Sequence, residues 1–197
     1  MDSFFSAARA TPEPRRPSRT ELLAAAGRTV PDLIAPRLKV LFCGINPGLY
    51  SAATRHHFAR PGNRFWPALH AGGFTDRVLA PWEERLLLPA GYGITNLVAR
   101  ATAAAAELDP AELNAGRRRL ERKVGRYAPQ WVAVLGVGAY RTAFGRRRAA
   151  LGVQSDTLGS AGLWVLPNPS GLNANHQIAD LARLFRELHE SVAGNRR

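Results

Sequence analysis

Four short apolar segments, separated by helical segments, constrain the fold of this 197-residue chain more than any other feature. They lie at residues 39–44, 93–98, 131–136 and 163–166, and their length and composition are typical of buried strands. Strands that alternate with helices indicate parallel β-α-β connections. We therefore predict a three-layer α/β/α sandwich with a mainly parallel central sheet.

Helix-start signals support this alternation. Residues 18–21 have the pattern of a capping box, and residues 109–112 combine an N-cap aspartate with a proline at the first helical position. Asn63 is placed to cap a helix of its own. We expect the helix after Asp109 to be basic and to extend to about Tyr127, and a final amphipathic helix over residues 177–192.

Two loops that contain Asn-Pro follow the first and the last of the predicted strands. The first Asn-Pro loop is GINPG at residues 44–48, and the second Asn-Pro loop is PNPSG at residues 167–171. Both should leave the same edge of the sheet, because parallel strands all end there. Ligands of open α/β sheets bind at this carboxyl edge, so we expect the functional site between the two loops.

The chain is strongly basic, with 27 Lys and Arg against 15 Asp and Glu and a formal net charge of +12. Residues 114–150 contain ten basic residues and one acidic residue, a net charge of +9. Such a field attracts polyanions, and the phosphate backbone of DNA is the partner that we expect. The alternative is a solvated helix face in an arginine-rich sequence, since Lys39 and Lys123 are the two lysines of the chain.

The composition disfavours several other classes of protein. Cys43 is the one cysteine, so the chain cannot form an internal disulfide, and one thiol cannot hold a zinc ion or an iron–sulfur cluster by itself. The histidines show no metal-ligand spacing. Neither GxGxxG after the first strand nor GxxxxGK[ST] is present, which argues against a nucleotide-binding metabolic enzyme. We expect no metal and no cofactor.

Residues 1–17 are basic and proline-rich, and they lack the long apolar core of a signal peptide. We interpret them as a flexible basic N-terminal arm. Residues 18–197 are expected to form one domain, long enough to bury most of its apolar surface. No apolar stretch approaches the roughly 18 residues of a membrane span. We expect a cytoplasmic and monomeric protein.

Four motifs follow one another along the chain: FCGINPGL, HHFARPGNRFW, GITNLV and WVLPNPSGL. This ordered set resembles the mismatch-specific uracil-DNA glycosylases of bacteria, and it is also similar to the thymine-DNA glycosylases of eukaryotes. The resemblance extends over residues 30–193. It implies a base-excision-repair enzyme that flips a uracil or a related damaged pyrimidine out of DNA, especially at G:U mismatches. The enzyme would then hydrolyse the bond to the sugar and leave an abasic site.

In that family the asparagine of the first Asn-Pro loop, here Asn46, positions the attacking water. The chemistry agrees, because cleavage needs a water beneath the anomeric carbon, and an amide carbonyl can hold one without acting as a strong base. The alternative is that Asn46 and Pro47 only form a turn. Asp109 could supplement Asn46 as a carboxylate, although its position as a helix N-cap explains it completely.

The resemblance also implies a base pocket. Phe58 would be the ring that stacks on the flipped base, and backbone groups of Ile45 and Phe58 would lie at the base edge. Ser51, Asn96 and Asn168 are implied as further polar groups of the pocket. Some of these residues also have a structural interpretation, with Phe58 in the core, Asn96 as a strand-exit cap and Asn168 in a turn.

The second Asn-Pro loop is implied to hold the DNA open. Leu172 resembles the apolar wedge of the family, which fills the gap left by the flipped base, and Ser170, Gly171 and Asn173 would lie against the partner strand. Enterobacterial members place an arginine where this chain has Ala174. We therefore expect weaker recognition of the opposite guanine, and measurable removal of uracil opposite adenine and from single strands.

We also predict that the enzyme is monofunctional. Lyase activity requires an amine nucleophile, normally a lysine whose pKa is lowered by burial. Lys39 leads into a predicted strand and Lys123 lies inside the basic helix, so neither adjoins the Asn-Pro loops.

Overall fold

The computed structural model describes residues 13–171 and 176–194. Its centre is a five-stranded sheet. The strands are β1 (Val40–Gly44), β2 (Tyr92–Asn96), β3 (Trp131–Leu135), β4 (Gly152–Leu158) and β5 (Ala161–Leu166). Their order in space is β2-β1-β3-β5-β4. All neighbouring pairs are parallel except β4 and β5, which confirms the mainly parallel sheet.

Helices of very different lengths accompany the sheet. In the described ranges they are α1 (Arg19–Leu23), α2 (Leu49–Thr54), α3 (Phe65–Ala71), α4 (Leu87–Ala90), α5 (Pro110–Tyr127), α6 (Val137–Phe144) and α7 (Ile178–Gly194), with 3₁₀ helices at Pro81–Leu86 and Ala105–Glu107. Helix α2 lies in a stretch without apolar periodicity, so the sequence pattern does not predict it. None of the helices in this part of the chain is long and apolar enough to cross a membrane.

Each face of the sheet is covered by its own helices, which confirms the three-layer sandwich. Alternate residues of a strand point to opposite faces. Phe42 of β1 contacts Phe65 of α3 and Phe185 of α7, with ring centroids 5.5 and 6.0 Å apart. Leu41 and Cys43 belong instead to the core formed with α5 and α6. All of β1 is buried, as expected for a strand with helices on both sides.

Strand β4 is a correction to the sequence prediction, which has no strand there. Its sequence GVQSDTL has one buried residue, Leu158, because β4 lies at the edge of the sheet. An edge strand with one solvated face needs few apolar residues, and its pattern is then difficult to distinguish from a loop. The β4–β5 hairpin therefore adds an antiparallel strand that apolar periodicity does not reveal.

The predicted helix starts at residues 18 and 109 are confirmed. The carboxylate of Asp109 accepts from the amide of Ala111 at 2.7 Å, and Glu112 completes the capping box of α5. Ser18 and Glu21 form the capping box of α1. Each box satisfies amide groups that the first turn of a helix leaves without partners.

The described part of the predicted N-terminal arm, residues 13–17, lies beside α1. Arg15 of this segment forms an ion pair with Glu21, the same residue that completes the capping box of α1. Residues 1–12 lie outside the described ranges.

Helix α5 packs closely against the exit of β2. A Cβ atom on Gly116 would lie 2.5 Å from the carbonyl oxygen of Leu97, so a larger residue could not approach so closely. This contact anchors the segment between Leu97 and Asp109 at the carboxyl edge. The segment carries Arg100 and Thr102, which contact the first Asn-Pro loop.

Candidate active site

A cavity of about 310 Å³ lies at the carboxyl edge of the sheet, between the two Asn-Pro loops. Its walls come from both loops, the end of β2, the segment that follows α2, and residues 102–105. The predicted site residues that line it are Ile45, Asn46, Ser51, Phe58, Asn96, Asn168 and Ser170. The structure thus brings together residues that are separated by more than a hundred positions in the sequence.

The two Asn-Pro loops approach each other across the end of β3. Because β3 lies between β1 and β5, the loops leave strands that are about 10 Å apart. Gly136, the residue after β3, has a φ of 134° and begins the turn into α6. A Cβ atom there would lie 3.1 Å from Ile45 Cδ1 and 3.8 Å from Asn168 Cβ. A side chain at this position would therefore crowd Ile45 of the first loop and come into ordinary contact with Asn168 of the second.

The side-chain amide of Asn46 is held in one orientation. Its Nδ2 lies 2.7 Å from Thr102 Oγ1 and 3.2 Å from the carbonyl oxygens of Pro47 and Arg100. Carbonyl oxygens only accept, and the Thr102 hydroxyl donates its own hydrogen to the Ala104 carbonyl at 2.8 Å. The NH₂ group must therefore face this cluster. Because Asn46 lines the cavity and its Nδ2 is bound, we infer that Oδ1 is the acceptor it offers to a ligand there.

The backbone of the first Asn-Pro loop is also fixed. Its pairing with the segment that follows β2 continues beyond the ends of the strands. The Leu97 amide donates to the Gly44 carbonyl at 2.9 Å, and the Val98 amide donates to the Ile45 carbonyl at 2.9 Å. The Thr102 amide donates to the Pro47 carbonyl at 3.2 Å. Asn46 thus lies on a segment anchored at both sides, which favours precise placement of its side chain.

Phe58 is at once a core residue and a wall of the cavity. Its ring stacks on Phe65, with centroids 4.2 Å apart, and a Cβ atom on Gly44 would lie 3.3 Å from its Cζ. The backbone of Phe58 is left-handed, with a φ of 52°. That conformation costs about 1–2 kcal/mol in a residue with a Cβ atom. Phe58 therefore packs on the core and also lines the cavity, and its stacking on a flipped base stays a prediction.

Two buried polar side chains, His57 and Ser51, line the cavity beside Phe58. His57 Nε2 lies 3.0 Å from the Pro31 carbonyl, which can only accept, so Nε2 carries the hydrogen and Nδ1 is an acceptor. Burial lowers the pKa of His57, so its ring is neutral at pH 7. Ser51 Oγ accepts from the Ala59 amide at 3.1 Å and keeps its own hydrogen for donation. His57 is not predicted from the sequence, because a histidine pair without metal-ligand spacing carries no signal.

Asn96 and Asn168 form opposite parts of the cavity wall. Asn96 lies over Gly44, where an added Cβ atom would come within 2.5 Å of Asn96 Oδ1. Asn168 Oδ1 accepts from the Ser170 amide at 3.0 Å, so the turn interpretation is correct for this oxygen. Asn168 therefore accepts a hydrogen bond within its own loop and also lines the cavity.

Arg64 ties the second Asn-Pro loop to the start of α3. Its backbone amide donates to the Pro169 carbonyl at 3.0 Å. Its guanidinium donates to the Ser170 carbonyl at 2.6 Å and to the His176 carbonyl. Arg64 therefore belongs to the scaffold that holds the second Asn-Pro loop. Asn63, next to it, accepts from the Phe65 amide at 2.9 Å and so satisfies an amide of the first turn, although the N-cap residue of α3 is Arg64 and not the predicted Asn63.

The predicted wedge region is described only in part. Gly171 lies beside the cavity and packs against Gly62, since an added Cβ atom would lie 2.7 Å from the Gly62 carbonyl oxygen. Leu172, Asn173 and Ala174 lie outside the described residues.

No Asp or Glu in the described ranges lines the cavity. Asp109 serves as the cap of α5. Glu112 forms an ion pair with Arg100, whose hydrogen bond lowers the pKa of Glu112 to about 2. Glu107 accepts from the Ala104 amide at 2.7 Å. The carboxylates near the cavity therefore have structural partners, and Asn46 stays the candidate for holding a water.

Cys43 and the two lysines could support metal or amine chemistry, but they lie away from the cavity. In the described ranges, no group of three or more His, Cys, Asp and Glu could hold a metal ion. Cys43 is buried in β1, and burial raises the pKa of its thiol to about 12. Lys39 donates to the Ala90 carbonyl at 3.0 Å, and Lys123 lies 2.6 Å from Asp32. Neither lysine lines the cavity.

The basic stretch at residues 114–150 follows α5, α6 and the loop after α6 rather than the cavity. Part of it has structural partners. The Arg117 guanidinium lies 5.6 Å from the centre of the Phe144 ring, and Arg119 donates to the Leu97 carbonyl at 3.3 Å. Arg60, which is outside this stretch, is exposed and lines the cavity.

Comparison with known proteins identifies the class to which this fold and cavity belong. A sequence model of the uracil DNA glycosylase superfamily matches residues 31–190, and the chain belongs to that superfamily. Uracil-DNA glycosylase activity is therefore its general function. The resemblance to the mismatch-specific branch stays a prediction.

A solved structure supports the fold. The chain is similar to the solution NMR structure of a candidate uracil DNA glycosylase from Methanosarcina acetivorans, with a TM-score of 0.55 and 18% sequence identity. The match covers 83% of this chain and 98% of that one. At this identity the likeness establishes the shared α/β architecture.

Proposed function

We propose that this protein is a monofunctional uracil-DNA glycosylase that acts on uracil flipped out of duplex DNA, fastest at G:U mismatches. The observation that carries the proposal is the orientation of Asn46. Its NH₂ group is bound by Thr102 and two backbone carbonyls, so its carbonyl oxygen is presented to the cavity as an acceptor. No carboxylate in the described ranges lines the cavity to replace it.

Asn46 is the proposed catalytic residue. Its Oδ1 accepts a hydrogen bond from a water and holds that water beneath C1′ of the flipped nucleotide. As the bond from C1′ to N1 of uracil breaks, the electron pair leaves with the base and the sugar gains oxocarbenium character. The water oxygen then bonds to C1′ and its proton passes to solvent. An amide cannot take that proton well, so we expect slow turnover.

The rest of the lining would recognise and stabilise the base. Phe58 offers an aromatic wall on which a pyrimidine can stack. The departing uracil is an anion, and hydrogen-bond donors aimed at its oxygens lower the energy of the transition state. The hydroxyl of Ser51, the side-chain amides of Asn96 and Asn168, and the backbone beside Ile45 are the proposed donors and acceptors.

Duplex DNA is the proposed partner. Arg60, exposed at the cavity, would contact a phosphate of the damaged strand. Leu172 is the proposed wedge, with Ser170, Gly171 and Asn173 against the partner strand. The packing of Gly171 on Gly62 supports this assignment, because the chain neighbours of these two glycines, Ser170 and Asn63, line the cavity.

The proposed reaction uses water rather than an amine. Both lysines have partners away from the cavity, in Ala90 and Asp32. Borohydride trapping with a uracil-containing duplex should therefore give no covalent adduct that depends on Lys39 or Lys123.

The test is excision from an oligonucleotide with one uracil opposite guanine, opposite adenine, or in a single strand. Purified protein should produce sites that hot alkali cleaves, fastest at G:U and measurably on the other two substrates. The Asn46→Ala protein, prepared identically, controls for a contaminating glycosylase. The proposal is wrong if the wild-type protein leaves all three substrates intact. Activity confined to G:U would instead show that another residue replaces the missing arginine at Ala174, with Asn173 and Asn175 as the first suspects.

A further inference from the structure

The segment that presents Phe58 has an unusual backbone. Arg55 has a φ of 62° and Phe58 a φ of 52°, so two of four consecutive residues are left-handed without being glycine. Residues with a Cβ atom avoid this region, because the Cβ atom crowds the following carbonyl oxygen. Such a conformation persists only where the surrounding structure holds it in place.

Glu84 contributes a carboxylate to that surrounding structure. It lies on the 3₁₀ helix Pro81–Leu86, and its side chain is 12% exposed. Oε2 accepts from the His57 amide at 2.9 Å, and Oε1 lies 3.2 Å from His56 Nδ1. One carboxylate therefore binds both residues that separate Arg55 from Phe58.

Neighbouring groups complete the frame around the segment. The Trp66 indole donates to the His57 carbonyl at 3.3 Å, and Ser51 Oγ accepts from the Ala59 amide at 3.1 Å. Glu84 differs from them in its charge, since hydrogen bonds to a carboxylate are stronger than those between neutral groups. A nearly buried carboxylate is also costly to remove from water unless its partners compensate. Those partners here are the backbone and ring that precede Phe58.

We propose that Glu84 is a positioning residue of the base cavity. It fixes His56 and His57 and thereby the left-handed conformation that places the Phe58 ring in the cavity wall. Glu84 does not itself line the cavity, so it acts through the segment and not by contact with the substrate. The consequence for catalysis rests on the proposed function, in which Phe58 stacks on the flipped base.

Hydrogen exchange tests the positioning independently of any activity. In Glu84→Leu, which keeps bulk and removes both acceptors, the His57 and Ala59 amides should exchange about tenfold faster or more, while β1 and β3 stay unchanged. Glu84→Gln keeps one oxygen and should show a smaller change in the same direction. Unchanged exchange at His57 in both variants would overturn the inference.

Glu83→Gln is the matched control. The neighbouring carboxylate of Glu83 binds Arg77 at 2.7 Å and the Ala80 amide at 2.8 Å, so it stabilises the same 3₁₀ helix without contacting the 55–59 segment. This variant should leave exchange at His57 and the excision rate at wild-type values. An equal effect of both glutamates would mean that Glu84 only stabilises the helix.

Single-turnover excision at saturating enzyme tests the role in the reaction. Glu84→Leu should lower the maximal rate by about tenfold or more and change duplex affinity by less than about twofold, because phosphate contacts supply most of that affinity. Glu84→Gln should recover most of the rate, and Glu84→Ala, which also removes both acceptors, carries both measurements if Glu84→Leu does not fold. A wild-type rate in Glu84→Leu with faster exchange would refute the catalytic half of the inference. If the wild-type protein excises nothing, the proposed function is wrong, and hydrogen exchange alone decides the structural half.

Discussion

The two Asn-Pro loops leave the same edge of one sheet with the same dipeptide, yet their asparagine side chains are held in opposite ways. In the first loop the NH₂ group of Asn46 is bound and its oxygen is presented to the cavity. In the second loop the oxygen of Asn168 is bound by the Ser170 amide. The NH₂ group of Asn46 binds Thr102 and Arg100 of a distant segment, whereas the oxygen of Asn168 binds an amide of its own loop. The role of each asparagine therefore follows from its partners and not from the motif.

The strongest test of this comparison is removal of the oxygen that Asn46 presents. We expect Asn46→Ala to lower single-turnover excision by roughly a hundredfold or more, the size of effect that lost positioning of a reactant commonly has. Duplex affinity, measured by titration of labelled DNA, should hardly change. Near wild-type excision by Asn46→Ala would show that the two loops do not differ in the way proposed.

The second loop is proposed to act on DNA rather than on the water, and Leu172→Ala tests this. We expect about tenfold slower excision from paired duplex and a much smaller loss on single-stranded substrate, where little unstacking is needed. The measurement is the ratio of single-turnover rates on the two substrates at one salt concentration. Equal losses on both would mean that Leu172 is not a wedge.

Thr102→Val sharpens the comparison of the two asparagines, because it removes the hydroxyl that binds Asn46 and has no counterpart at Asn168 in the bonds described above. Valine has nearly the shape of threonine but cannot accept from Asn46 Nδ2 or donate to the Ala104 carbonyl. We expect roughly tenfold slower excision, with binding unchanged, because the amide loses its shortest hydrogen bond and is held only by the two longer ones to backbone carbonyls. Thr102→Ser restores the hydroxyl and should recover most of the rate. If Thr102→Ser does not recover the rate, altered packing and not the lost hydroxyl explains the slower excision.

The smallest expected effect concerns Asn168. Asn168→Asp keeps the oxygen that accepts from Ser170 and replaces the amide donor, so it separates the turn from the proposed pocket contact. We expect stability close to wild type and a loss of about threefold in excision, since one donor among several is changed. Asn168→Ala should in addition lower the free energy of unfolding by about 1 kcal/mol, measured by urea denaturation. Full activity in both variants would leave Asn168 with the turn role alone.

The sequence predicts those parts of the fold that depend on continuous apolar segments. Strands β1, β3 and β5 are covered on both faces, so their residues form short apolar runs that a pattern search detects. Strand β4 and helix α2 escape this search, because β4 is an edge strand and α2 lacks a periodic apolar face. Local rules also predict helix starts well, as at Asp109, because a cap involves residues only a few positions apart.

The candidate site likewise contains residues that the sequence predicts and residues that it does not. Asn46, Phe58 and Asn168 are identified through motifs, but Thr102 and Glu84 are not. Thr102 is 56 positions from Asn46, and Glu84 is 27 positions from His57. Their importance comes from contacts made only when β2 and the 3₁₀ helix pack beside the first loop and the Phe58 segment. Pairing over such separations has no periodic signature in a single sequence.

The contacts of Arg64 have a consequence for how the second loop would meet DNA. Its guanidinium binds the carbonyls of Ser170 and His176, which lie on either side of the proposed wedge. The two ends of this short stretch are thus joined in the folded protein, and the entropy of closing the loop is already lost before DNA binds. Insertion of a wedge from a loop with fixed ends carries a smaller entropic penalty than insertion from an open chain. By this argument Arg64 would favour insertion of the proposed wedge through its bonds to protein carbonyls.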